Sequence, residues 1–281
     1  MRISLTTVGL IAGLMLTQSA SAADMAVKAP PPPPPACTWC GFYIGADGGG
    51  DWARQSGATY PLPSGFGAPA ILGAGFAGIG VLPTSHSLNG NGGLGGVHAG
   101  YNWQVSNWLF GVEGDWMWTN LNASNVQTTF DTFTLGAPRP NGNMLISSSN
   151  NWLASVRGRL GVVAAAQWML YVTGGAAWTD RSTTATWAPL AGALAPAPSV
   201  SSASFDGTKT GFVVGAGAEW MVAPHWIVRG EYLYYQFSGG SGSLPFIVPS
   251  NGCTPTGTCG WNVSTSNLQI NTVRAGVSYK F

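Results

Sequence analysis

Charge is what this 281-residue chain has least of: Asp, Glu, Lys and Arg together make up 7% of it, against about 25% in an ordinary soluble domain. A surface needs charge to stay dispersed in water, so a shortage this deep argues that much of the surface is not in water. The signs nearly cancel, at a formal net charge of +1, which gives no reason to expect nucleic acid as a partner. Long apolar runs are missing as well. Beyond the N-terminus no segment approaches the ~20 uninterrupted apolar residues of a membrane helix. Four cysteines and three scattered histidines leave little material for a metal centre. The spanning solution that survives these absences is a closed β-barrel, in which every backbone N–H and C=O pairs with a neighbouring strand.

What is present starts with a leader. Arg2, an apolar core from Val8 to Leu16 and the small-x-small pattern Ala20-Ser21-Ala22 read as a cleaved secretory signal over 1–22, since the core is half a membrane span. Residues 23–40 form a proline-rich periplasmic lead-in, with Pro30 to Pro35 as an extended polyproline rod. The barrel is expected over 41–281.

Period-2 alternation over roughly ten residues at a time is the mark of a barrel strand. Trp108, Phe110, Val112, Trp116 and Trp118 alternate against Gly111, Glu113 and Asp115. Trp152, Ala154, Val156 and Leu160 oppose Ser155, Arg157 and Arg159; Phe212, Val214 and Trp220 oppose Gly215 and Glu219. Trp226, Val228 and Tyr232 oppose Arg229 and Glu231, and Val273, Val277, Tyr279 and Phe281 oppose Arg274 and Ser278. With segments from Phe42, Val97 and Trp168, the count is eight. The polar faces carry Gly, Ser, Thr and a few charges, which suits a narrow interior. Trp or Tyr near both ends of several apolar faces forms two aromatic girdles.

Tight turns at 105–107, 164–167 and 223–224 alternate with four long connections, roughly 53–92, 121–150, 181–208 and 238–268. The expectation is an all-β, eight-stranded antiparallel up-and-down transmembrane β-barrel with four long extracellular loops and short periplasmic turns.

The stretches "GFYIGADGGG", "AGYNWQ", "GVEGDW", "RGRLG", "VRGEYLYY" and "VRAGVSYKF" together resemble the porin-like outer-membrane immunogenic proteins, eight-stranded barrels related to the OmpA-type membrane domain. The resemblance implies a surface-exposed protein in the outer membrane of a Gram-negative bacterium. It implies an assembly signal at Tyr279 and Phe281, and as partners the membrane lipid and lipopolysaccharide, periplasmic chaperones and the barrel-insertion machinery. A monomer is expected, with host or ligand contact through the loops.

The lumen charges are Asp47, Glu113, Asp115, Glu219 and Glu231 against Arg157, Arg159, Arg229 and Arg274, with Lys280 on the same face. They form either an ion-selective constriction or a paired network that fills the lumen; the near-balance of signs favours pairing. Cys253 and Cys259 are placed to close a short surface loop as a disulfide. Cys37 and Cys40 allow a local disulfide or inert pair, exchange with another protein's thiol, or a metal half-site. His86 sits between Ser85 and Ser87 in a loop and His98 faces the lumen. Neither spacing supplies the third orienting group a catalytic constellation needs. No enzyme activity, cofactor or metal is expected. The rival reading is a small porin or narrow channel. A weaker one is haem-like capture by loop aromatics such as Trp187 and Phe205.

Overall fold

Apolar side chains facing out every second residue, with small and charged ones facing in, fold into ten antiparallel strands of one sheet. The computed structural model describes residues 37–61, 85–131, 139–190, 200–245 and 260–281. The strands are β1 (Gly41–Pro61), β2 (His86–Val105), β3 (Trp108–Asp131), β4 (Arg139–Ala165), β5 (Trp168–Pro189), β6 (Ser201–Ala223), β7 (Trp226–Phe237), β8 (Gly240–Pro245), β9 (Gly260–Thr265) and β10 (Leu268–Lys280). Each of β1 to β6 pairs with the next, β7 pairs with β10, and β10 closes on β1 from Tyr43↔Lys280 to Arg54↔Gln269.

That ring has eight members, and the two extra strands belong to it. Phe237 pairs with Leu268 and Gly240 with Thr265, three residues on along one chain and three back along the other. β7 and β8 are therefore one strand interrupted at Ser238 and Gly239, and β9 and β10 one strand interrupted at Ser266 and Asn267. On β1, pairing passes from β10 to β9 with a slip of one residue, from Arg54↔Gln269 to Gly57↔Thr265.

The strands run much further than the alternation indicates. β1 to β6 are 20 to 27 residues long, where about 9–11 cross a bilayer. Much of the four segments read as long connections is thus wall. Many of the outward residues above the girdle are hydroxyls or amides, so the contrast between faces fades. Thr184 faces Ser204 at 3.4 Å and Thr186 faces Ser202 at 3.1 Å across the β5–β6 pair, an ordinary cross-strand contact in water. From Trp178 to Pro189 the wall rises about 28 Å at a tilt near 40°.

The extension is not closed all the way round. β6 leaves β7 at Gly211↔Phe237, and Ser238 N–H still donates to Thr210 O at 3.3 Å. Beyond that point, β6 pairs with β5 and β8 with β9. Among the described residues a seam without ladder bonds separates β6 from β8.

At the opposite end three two-residue turns join β2 to β3, β4 to β5 and β6 to β7. Ser106, at φ 56°, takes the left-handed conformation a tight hairpin needs.

Candidate functional site

Because alternate residues of every strand point inward, the charges scattered from Asp47 to Arg274 meet in one layer of the lumen. Arg157 donates Nη1 to Glu231 at 2.8 Å and Nη2 to Glu113, with Asp115 at 3.2 Å from Nη2. Arg229 holds Asp47 through Nε at 2.7 Å and through Nη2, and reaches Glu113 through Nη1 at 2.7 Å. Arg274 lies 2.6 Å from Glu231 and 3.4 Å from Asp115. Arg159 pairs with Glu219 and lies 3.3 Å from Glu113, its guanidinium 4.0 Å from the centre of the Tyr171 ring. All nine side chains are buried. Glu113 is the hub, touched by Arg157, Arg159 and Arg229 and by the Tyr43 hydroxyl at 2.7 Å.

Four neutral or titratable partners complete the layer. His98 bridges Asp47 at 2.9 Å and Ser278 at 2.7 Å, Tyr171 donates to Glu231 at 3.1 Å, and Ser155 donates to Asp115 at 2.5 Å. Close approach demands glycine at two places. A side chain at Gly45 would begin 2.5 Å from His98 Nε2, and one at Gly276 would collide with the Asp47 carboxylate.

Apolar layers lie on both sides. Along β4, Arg159 and Arg157 give way to Leu153, then to Asn150 and Ser148, then to Ile146 and Met144. The middle apolar layer packs Leu153 with Met117, Leu121, Ala177, Leu233, Phe237 and Ile270. The outer one packs Met144 and Ile146 with Leu88, Ala185, Leu244 and Val263. At the turn end, Leu109, Met169, Tyr171, Met221 and Ile227 close around Trp39, whose exposure is 0%.

Trp39 is delivered by a staple. Cys37 and Cys40 form a disulfide with their Cα atoms 5.5 Å apart. The Trp39 N–H donates to Gln104 Oε1 at 3.1 Å, the Gln104 N–H to Cys40 Sγ at 3.2 Å, and Lys280 Nζ to Thr38 O at 2.8 Å. Lys280 thus anchors the lead-in and takes no part in the charged layer.

Between the middle and outer apolar layers lies a polar one. Arg181 donates Nη2 to Gln55 Oε1 and Nε to Thr183 Oγ1 at 3.2 Å. Gln55 donates to Ser266 O at 2.6 Å and Thr183 to Ser148 at 3.4 Å. Arg181 sits three residues beyond the girdle residue Trp178, outside the membrane span, and burial pushes its guanidinium down to about 10. His86, expected in a loop, opens β2 and is buried with neither ring nitrogen partnered. Burial holds its imidazole below the usual range.

Of the lumen residues singled out from the sequence, nine lie in the charged layer and Lys280 does not; Tyr43, His98, Ser155, Tyr171 and Ser278 were not assigned to it. Only their inward parity could have placed them there, and parity says nothing of partners. Trp187 and Phe205 pack on the outer apolar layer rather than standing free for a ligand. Phe281 is exposed, 5.7 Å from Phe42 and 5.2 Å from Tyr279 between ring centres, and its N–H donates to Phe42 O at 2.9 Å. Residues 1–36, and Cys253 and Cys259, lie outside the described residues. Among the described residues no group of three or more His, Cys, Asp or Glu is arranged to hold a metal ion.

The outer membrane protein beta-barrel domain model matches residues 9–281. A 31 kDa outer-membrane immunogenic protein of Brucella melitensis is 29% identical over 283 residues, covering 95% of each chain, and its counterpart in Brucella suis matches equally. Among solved structures, OprG of Pseudomonas aeruginosa is similar at 15% identity and TM-score 0.42, over 86% of this chain and 96% of that one. Ail of Yersinia pestis is similar at 14% identity and TM-score 0.32, over 86% and 99%.

Proposed function

Because the chain belongs to the outer membrane protein beta-barrel domain family, a resident of the Gram-negative outer membrane in contact with its lipids, we propose that it acts as a sealed wall protein of the envelope. Its role is structural, and its loops serve as a surface for contact with host, phage or ligand. One observation carries this reading. The nine-residue charged layer is internally paired and lies between apolar layers, with Trp39 shut into the turn end. An ion crossing that lumen would have to break buried ion pairs and pass three apolar layers, each unfavourable by several kcal/mol.

Under the same proposal residues 1–22 are the export signal and 23–36 a periplasmic lead-in. Chaperones and the insertion machinery handle the chain, and Tyr279 and Phe281 mark its end for assembly. The protein works as a non-enzymatic monomer. The Brucella relative is immunogenic by name, and exposure of this chain's loops at the cell surface is proposed on that likeness.

Planar-bilayer recording of the refolded mature barrel tests the reading. The expected trace shows no stable unitary current. A large, long-lived conductance in the unmodified protein makes it a small porin instead.

A further inference from the structure

Above the girdle the wall has left lipid, yet its outward face does not take up the charge of a water-facing surface. Soluble surfaces carry about 25–35% Asp, Glu, Lys and Arg. The outward residues of β3 between 120 and 128, β4 between 143 and 151, β5 between 180 and 186 and β6 between 202 and 208 include no Lys or Arg and two carboxylates, Asp180 and Asp206. Asp180 is spent within the wall: it accepts from the Asn151 and Trp152 N–H groups at 2.8 and 3.0 Å and from Asn151 Nδ2 at 2.8 Å. Hydroxyls and amides cover most of the rest.

Two rows of this face are hollowed. Asn122, Ser149 and Ser182 stand across from one another on β3, β4 and β5, and Ser124, Ser147 and Thr184 form the next row outward. Side chains this short, set between larger ones, leave a recess of about 340 Å³, within the ~300–1,000 Å³ of small-molecule sites. On the membrane side stand Trp118 and Trp152, the latter stacked on Trp116 at 4.7 Å between ring centres. On the rim side Val126 and Leu145 face each other, 64% and 40% exposed. Among the described residues the hydroxyls of Ser124, Ser147, Ser149 and Ser182 have no hydrogen-bond partner.

Free hydroxyls in a concave, uncharged setting suit a ligand that is itself made of hydroxyls. A phosphate finds no Lys or Arg on this face. A protein partner fits poorly, since interface hot spots are short of Ser, Thr and Val. Sugar rings match, with their hydroxyls on the serines and Thr184 and their C–H faces on Val126 and Leu145. Position then names the source. Ser149 lies three residues beyond Trp152, about 10 Å along the strand and roughly 8 Å in height at a tilt near 40°. Headgroups fill about the first 5–8 Å beyond the hydrocarbon core, so the recess opens at the top of that layer.

We propose that the recess across β3, β4 and β5 binds the sugars of an outer-leaflet glycolipid, those just beyond its acylated headgroup. The inference rests on residence of the barrel in the outer membrane, and it gives a partner to the wall rather than to the loops.

The test uses the full refolded barrel in nanodiscs of phosphatidylethanolamine and phosphatidylglycerol. These are doped with lipopolysaccharide that carries core sugars but no O-antigen, or with lipid A stripped of the core. At equal mole fraction the core-bearing lipid should raise the melting temperature further, and native mass spectrometry should count more of it retained. Ser149→Ala with Ser182→Ala should lower that retention by about tenfold. Ser147→Trp fills the recess and should abolish the preference, whereas Ser56→Trp, outward on β1 and away from the recess, should leave it intact. Heat-modifiability on a denaturing gel shows that each variant has folded. A barrel that folds and stays non-conducting yet retains both lipids equally overturns this inference while the sealed-wall reading stands. So does a preference that Ser147→Trp leaves unchanged. Released core oligosaccharide that binds as tightly as the anchored lipid overturns the assignment to a membrane glycolipid in favour of a free glycan.

Discussion

Arg229→Met is the perturbation that bears hardest on the charged layer. The native layer sets four guanidiniums against five carboxylates, and His98 hydrogen-bonds the Asp47 carboxylate. Arg229 is the cation that ties Asp47 to Glu113. Methionine preserves much of its length and none of its charge. Asp47 is then left with His98 and with Arg274 at 3.9 Å, and Glu113 keeps Arg157 and Arg159. Removing one partner of a buried ion pair costs about 3–5 kcal/mol. At about 2–4 °C per kcal/mol for a chain of this size, the melting temperature should fall by roughly 6–20 °C. Heat-modifiability on a denaturing gel, where folded and unfolded barrels migrate differently, reads the shift directly. Glu113→Gln supplies the control: it removes the hub yet leaves four carboxylates for four guanidiniums, so its fall should be the smaller of the two. A drop below about 3 °C for Arg229→Met, or a larger one for Glu113→Gln, would refute the view that the layer is held by charge balance.

Two further outcomes follow from the ends of the lumen. Trp39→Ala should lower stability by about 3–5 kcal/mol, the range for deleting a fully buried tryptophan, whereas Cys37→Ser with Cys40→Ser should cost less, because Gln104 and Lys280 still hold the segment; denaturant titration in detergent ranks them, and the reverse order would contradict the plug. At the other end, the buried His86 binds its proton less readily in the folded barrel than in the unfolded chain. Stability it leaves intact above the ordinary histidine pKa of about 6.5 is lost as pH falls through that value, so His86→Gln should flatten the melting-temperature decline between pH 7.5 and 5; equal slopes in both proteins would rule the residue out as the cause.

The membrane band was legible because lipid forces a contrast between faces. Trp108 to Trp118 and Trp168 to Trp178 show it plainly, and parity alone then put Glu113 and Arg157 inside. Legibility ended where lipid ends. Ser147, Thr184 and Ser202 face water, and the inward side mixes Ser148, Thr183 and Ala185 with the apolar Met144 and Ile146, so the period fades, and Arg181 was lost with it. Parity continued from Thr179 would have turned it inward. The interruptions at Ser238 and Ser266 hid that β7 and β8 are one strand. Trp39 was out of reach for a different reason: it lies before the first strand, and only the Gln104 and Lys280 contacts, remote in sequence, bring it home.

The height of the wall above the girdle separates two sets of demands on the same strands. The strands end at Pro61, Pro189 and Pro245, some distance from the bilayer rather than at its edge. Substitutions and length changes there leave the lipid-facing band, the charged layer and the C-terminal strand untouched. The demands of membrane insertion and those of the outer rim therefore fall on different residues of the same strands.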